Sequence, residues 1–107
     1  MAYLWMTHAG IAKNYLGLYD QAIPWFRRAI EANRNFPHPH FVSGAALALL
    51  GRLDEARSAV RAGLALNPNF TISRARGVWS AMSDDPIHLA QLERLLDGMR
   101  KAGVPEQ

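Results

Sequence analysis

The sequence predicts an all-α protein of stacked helical hairpins, about six helices in a single domain spanning residues 1–107. Three observations carry that prediction. The chain matches itself without a gap when shifted by 34 residues. In each copy a glycine and, three residues on, an aspartate separate two helical stretches. The last third then closes with an amphipathic segment opened by Asp84-Asp85-Pro86. A fixed period of this length is the signature of stacked helical units, each too small to bury its apolar face alone.

The self-match is dense. Gly10 falls on Gly44, Ala12 on Ala46, Leu16 on Leu50, Gly17 on Gly51, Asp20 on Asp54, Ala22 on Ala56 and Arg27 on Arg61. Asn33, Asn35 and Phe36 then meet Asn67, Asn69 and Phe70, which makes ten identities in one ungapped unit. The chain contains a duplication.

In the first copy the pattern predicts a helix over Tyr3–Leu16, ended by Gly17, a residue free to take the left-handed cap conformation. Asp20 is expected to cap the next helix, which runs to about Asn33. Pro24 falls within or just past its first turn, where a missing amide costs least. The second copy repeats the grammar: Pro37–Leu50, Gly51, Asp54 as cap, then a helix ending at Asn67-Pro68. Ala22, Ala29, Ala56 and Gly63 are small residues that let paired helix axes approach. The units are thus 3–36 and 37–70.

Beyond them the pattern loosens. Residues 71–82 continue as a further first helix, but Val78 stands at the close-contact position held by Gly10 and Gly44. Asp84-Asp85-Pro86 is a strong helix start, with an acidic cap and proline in the first turn. From Pro86 to about Ala102, Leu89, Leu92, Leu95, Leu96 and Met99 share one face and charged residues cover the other. That is the pattern of a capping helix, closing a degenerate third hairpin over 71–102.

A helical-hairpin unit of 34 residues with Gly10, Ala22, Phe26 and Ala29, and with Gly44, Ala56 and Pro68 in its second copy, resembles the tetratricopeptide repeat family. Met6 and His40 stand where that family prefers Trp, Lys13 and Leu47 where it prefers Tyr, and Arg34 replaces the first Pro. The resemblance covers residues 3–70 and implies three hairpins stacked as a short right-handed superhelix. It further implies that the first helices line a concave groove for a protein or peptide partner. Carried over position by position, the groove consists of Thr7, His8, Ile11, Asn14 and Tyr15, then His38, Phe41, Ala45, Ala48 and Leu49, with Asn35 and Asn69 at the joints. This lining suits a helix or an extended peptide.

A second resemblance lies in the carboxyl half. Asn67-Pro-Asn-Phe-Thr-Ile-Ser73, Ser83-Asp-Asp-Pro86 and Gly98-Met-Arg-Lys-Ala-Gly-Val-Pro-Glu106 are similar to the ends of bacterial regulators. In those, a class III adenylate/guanylate cyclase domain or a winged-helix DNA-binding domain precedes a tetratricopeptide region. That resemblance implies a cytoplasmic, carboxyl-terminal regulatory module whose cyclase residues, if any, belong to a preceding domain. The alternative is a self-association module that dimerises such a domain. Leu4, Trp5 and Ile11 at the uncapped amino-terminal end are expected to lean on another repeat or on a second copy.

Chemistry finds little support in the sequence. With no cysteine there is no disulfide, thiolate nucleophile or thiolate metal site. No glycine-rich phosphate loop or G-x-S-x-G is present, and Asp54-Glu55 and Asp84-Asp85 are explained by helix starts. Neither a catalytic site, a cofactor nor a metal is expected. His38-Pro39-His40 with His8 is the sharpest metal candidate, but a zinc site wants three or four ligands and neither a cysteine nor a nearby carboxylate completes this one. His88 stands one helical turn from Asp84, which explains it as a local pair. Trp5, Trp25 and Trp79 could be imagined as a base-stacking platform, yet they fall at core spacing. The net charge of +3 comes from scattered arginines at polar helical positions, which argues against nucleic acid. No apolar run approaches the ~18 residues of a membrane span, and the opening segment lacks the features of a signal peptide.

Overall fold

Gly17 and Gly51 both adopt left-handed backbone angles, with φ of 76° and 83°. Around each, the chain folds back through the same pair of backbone hydrogen bonds. Leu18 N donates to Lys13 O at 2.9 Å and Gly17 N to Asn14 O at 3.0 Å; Arg52 N donates to Leu47 O and Gly51 N to Ala48 O at the same two distances. This glycine-dependent termination satisfies the last carbonyls of one helix and aims the chain into the next.

The computed structural model describes residues 2–82 and 84–107; Met1 and Ser83 of the Ser83-Asp-Asp-Pro86 stretch lie outside the described residues. Among the described residues there are six helices and no strand: α1 (Ala2–Tyr15), α2 (Tyr19–Ala32), α3 (His38–Leu49), α4 (Leu53–Leu66), α5 (Ile72–Ser80) and α6 (Pro86–Lys101). The fold is an all-α helical-hairpin repeat. Asp20 and Asp54 are not its caps, contrary to expectation. The capping positions are Leu18 and Arg52, neither of which makes a side-chain cap bond, and the aspartates lie inside the first turn. There they face the positive end of the helix dipole rather than a single amide. Asp85 does cap α6, its carboxylate accepting from Ile87 N at 3.0 Å.

The two copies fill their hairpins differently. In the first, the Phe26 ring covers Gly10, and a methyl at residue 10 would stand 2.4 Å from the ring. In the second, the smaller Val60 covers Gly44, while the Phe41 ring lies against Gly63, 2.9 Å from where a Cβ would be. Bulk has moved from the second helix of one hairpin to the first helix of the other.

The third hairpin departs from the pattern of the first two. α2 packs broadly on α3, but α5 leans mainly on α6, and α6 lies across α3 with a smaller contact on α1. Leu92, Leu95, Leu96 and Met99 are each at most 3% exposed. α3 is consequently covered on all sides: Pro39 and every residue from Phe41 to Ala48 are buried. A helix apolar all round belongs inside, and α3 contains no charged residue.

The chain end locks this arrangement. Gly103, at φ 105°, turns the backbone after α6, Val104 is buried, and the tail then runs past the start of α5. Ile72 N donates to Pro105 O at 2.8 Å and Ser73 N to Glu106 O at 3.0 Å, while Thr71 Oγ1 accepts from Arg74 N at 3.1 Å. The free amides of the α5 first turn are thereby satisfied. The Cα radius of gyration is 12.4 Å, close to the ~13 Å of a globular domain of this length, so α6 folds the array back on itself.

Candidate interaction cleft

With α6 laid across α3, the twelve groove residues expected from sequence divide into distinct environments. Phe41, Ala45 and Ala48 are within the core, and Asn14 and Thr7 are 2% and 1% exposed. Thr7 donates its hydroxyl to Tyr3 O at 2.6 Å, and Asn14 donates Nδ2 to Val42 O at 3.3 Å, tying α1 to α3. Leu49 is partly buried against α6. Thr7, Ala45, Ala48 and Leu49 line neither hollow of the cleft while α6 holds its place, and Asn14 and Phe41 reach only the floors of those hollows. Asn35 is exposed in the α2–α3 turn, where its backbone N–H donates to Asn33 Oδ1 at 3.1 Å.

His8, Ile11, Tyr15 and His38 come together with Asn14 in a hollow of about 300 Å³ that α6 leaves uncovered. Val42, Trp79, Met82, His88 and Leu95 complete its wall. None of these five is among the groove residues expected from sequence. Leu95 sits on the recognisable apolar stripe of α6, but nothing in the sequence marks Met82, since its role depends on where α5 and α6 turn. Met82 is 74% exposed at the rim, with Ile87 67% and Val78 64% exposed nearby in the chain.

A second hollow of about 250 Å³ adjoins the first. Asn69 belongs to this one, with Phe70, Asn67, Arg74 and Val78. His38 and Trp79 line both hollows and form the ridge between them, their rings edge-to-face with centroids 5.4 Å apart. At the floor of the second hollow Phe70 stacks on Phe41 at 3.9 Å. In the first, the Tyr15 ring stacks on His88 at 5.1 Å, and His88 Nε2 lies 3.3 Å from Trp79 O. His88 is thus engaged across the cleft, by Tyr15 and the end of α5.

The first hollow is largely apolar and lined by no Asp, Glu, Lys or Arg, whereas Arg74 lines the second. No Asp or Glu side chain lines either hollow. Burial, and secondarily repulsion from His8, lowers the His38 pKa to about 4, so its imidazole is neutral at pH 7. Burial raises the Tyr15 hydroxyl, which stays protonated. Asn14 Oδ1 is buried with no hydrogen-bond partner among the described residues. No group of three or more His, Asp or Glu residues is placed to hold a metal ion among the described residues. The arrangement can hold apolar side chains and donate or accept single hydrogen bonds; it presents no convergent acid, base and nucleophile.

The outer faces are different. On α2 and α4, Arg52 is held bidentate by Glu55 at 2.7 and 3.0 Å, and Arg28 lies over the Trp25 ring at 5.5 Å from its centroid. Trp25 meets Trp5 edge-on at 5.6 Å. Exposed pairs of this kind contribute about 0–1 kcal/mol each and keep the face wet.

Comparison with protein families gives one match, the tetratricopeptide repeat, over residues 4–36. That stretch spans all but the start of α1 and the whole of α2, and the match supports a tetratricopeptide family. Repeats of this family generally mediate protein–protein interaction and are typically non-catalytic. Searches of curated proteins and of solved structures returned no match. No helix among the described residues is long and apolar enough to cross a membrane.

Proposed function

We propose that this chain is a protein-interaction module that seats a partner segment in the cleft between α1, α3 and the α5–α6 corner. The observation that carries the reading is the cleft itself. After α6 has covered α3, His8, Ile11, Tyr15 and His38 remain beside Trp79 and Met82 as an apolar, uncharged hollow of about 300 Å³. That volume is at the lower end of small-molecule sites, about 300–1,000 Å³, and suits one bulky side chain of a partner. A photo-crosslinking residue in place of Met82 tests this in extracts of the source cells. Covalent capture of a protein from position 82, but not from Arg61 on the outer face of α4, is the expected outcome. Equal capture from both, or none from 82, would sink the proposal.

The setting of this module is read from the carboxyl half. The Gly98–Glu106 stretch that resembles bacterial cyclase and winged-helix regulators is also the stretch that closes this fold, through Gly98, Met99, Gly103 and Val104. We place the module in the cytoplasm, as the regulatory end of a signalling protein and with no catalytic role of its own. Finding the coding sequence for this chain fused behind a cyclase or winged-helix domain supports that placement. A free-standing reading frame counts against it.

Self-association has one specific observation in its favour. Trp5 is 55% exposed beside Trp25 on the first hairpin, away from the cleft. Light scattering across a wide concentration range decides: a mass of two chains that Trp5→Glu halves supports pairing through this end, and a constant single-chain mass removes it.

A further inference from the structure

The outer side of α1 is open to water. α1 carries a single charged residue, Lys13, and α3 carries none, yet only α3 is surrounded. Trp5, Ala9, Ala12 and Leu16 follow one another at three- and four-residue spacing along that outer side, opposite the buried Thr7, Gly10 and Asn14. Leu16 keeps the register, because its N–H still donates to Ala12 O at 3.2 Å. Trp5 is 55% exposed and Leu16 68%, and Ala12 between them is exposed as well. The same row in the second copy is Pro39, Ser43, Ala46 and Leu50. Its first three residues are buried, on a helix that α2, α4 and α6 surround. A row that the fold buries in one copy is thus left bare in the other.

The row is not an ordinary stacking face. Trp5 stands where α3 has the buried Pro39, so a helix seated as α2 sits on α3 would meet an indole in place of a proline. A membrane surface suits it no better, since a helix lying there carries a strongly basic polar face and α1 has Lys13 alone. What the row does match is itself. Read in either direction it runs bulky, small, small, bulky, with its midpoint between Gly10 and Ile11. Two such rows laid antiparallel about a two-fold axis bring Ala9 beside Ala12 of the second copy, and Trp5 beside its Leu16. The alanines let the helix axes cross closely, and the larger side chains fill the space where the ends diverge.

Resting on the self-association reading above, we infer that two copies of this chain pair through α1, antiparallel about a two-fold axis, with Trp5 of each copy packed on Leu16 of the other. Both exposed bulky residues of the row are then covered at once. His8 and Lys13 flank the row and stay at its rim, so the pairing buries no charge. The outer faces of α2 and α4 offer no such row, because Arg27, Arg28, Arg57 and Arg61 stand exposed on them.

The chain contains no cysteine, so introduced thiols report the register without interference. Light scattering over a wide concentration range comes first, on the intact chain, Trp5→Glu and Leu16→Glu. Both positions are exposed, and circular dichroism checks that the helices persist in each variant. Trp5→Cys and Leu16→Cys chains are then oxidised separately and as a mixture. In the antiparallel pair, equal positions lie about 16 Å apart along the axis, beyond disulfide reach, whereas position 5 faces position 16. The expected result is a mass of two chains that either Glu substitution halves, and a linked dimer from the mixture alone. A two-chain mass halved by Trp5→Glu but not by Leu16→Glu overturns this register and leaves self-association through the amino-terminal end standing. Trp5→Cys chains that link to one another, or a mixture that does not link, have the same meaning. A two-chain mass that Trp5→Glu does not halve overturns both. So does a single-chain mass at every concentration, which would leave the row to a helix of another protein.

Discussion

Gly98 of α6 rests on the backbone of Ala45 of α3, so close that a Cβ at position 98 would stand 2.7 Å from the Ala45 carbonyl oxygen and 3.2 Å from its Cα. Backbone cannot step aside as a flexible side chain can. This contact sets how deeply α6 settles across α3. Gly98→Ala should lift α6 from its seat and destabilise the protein by about 1–3 kcal/mol, the usual cost of overpacking. A urea midpoint unchanged by the substitution would show that α6 has slack there.

Phe41 and Met82 should part company sharply. Phe41 is 1% exposed, stacked on Phe70 and pressed on Gly63, so Phe41→Ala should cost about 3–5 kcal/mol and Phe41→Glu should abolish cooperative unfolding. Met82→Glu should stay within about 0.5 kcal/mol of the parent while still blocking the cleft. Circular dichroism with thermal melting separates them, and a well-folded Phe41→Glu variant would contradict the packing described.

Truncation after Gly103 removes buried Val104 and the two carbonyls that receive the Ile72 and Ser73 amides. Lost burial and lost hydrogen bonds together should cost roughly 3 kcal/mol. Amide exchange gives the local signature: protection at Ile72 and Ser73 should fall more than at Ala22 or Ala56. Uniform loss across the chain would mean that the tail acts globally and not as a clasp on α5.

His38 should make the fold acid-sensitive. Its folded pKa is lowered to about 4, so between pH 6.5 and 4 the unfolded chain takes up a proton that the folded chain refuses. Stability from this group is complete above the unfolded value and is lost as pH falls, by roughly 2 kcal/mol at pH 5 relative to pH 7.5. His38→Phe keeps a ring beside Trp79 and should flatten that part of the pH profile. Parallel profiles for the two proteins would assign the acid sensitivity elsewhere.

The hairpins were legible from the amino acids because their determinants are local: Gly17 and Gly51 end helices through their own backbone, and Asp85-Pro86 starts α6 by capping. Asp20 and Asp54 misled because an acid in the first turn and an acid at the cap leave the same mark in a sequence. The cleft was half legible. His8, Ile11, Tyr15 and His38 follow from their register on first helices, but the burial of Phe41, Ala45 and Ala48 depends on where α6 comes to rest. An apolar stripe says that a face is covered without saying by what. One sign was available: α3 carries no charged side chain on any face, as expected of a helix with neighbours all round.

The exchange of bulk between the two hairpins limits how the chain can be recombined. A crossover between α1 and α2 that joined α3 to α2 would bring Phe41 against the position of Ala29, where its own partner offers only Gly63. The reciprocal join would leave Thr7 facing that glycine across a void. Each hairpin is therefore a lock cut with its key, and the piece that gene shuffling or an engineer can transplant is the pair of helices severed between Phe36 and Pro37, never one helix alone.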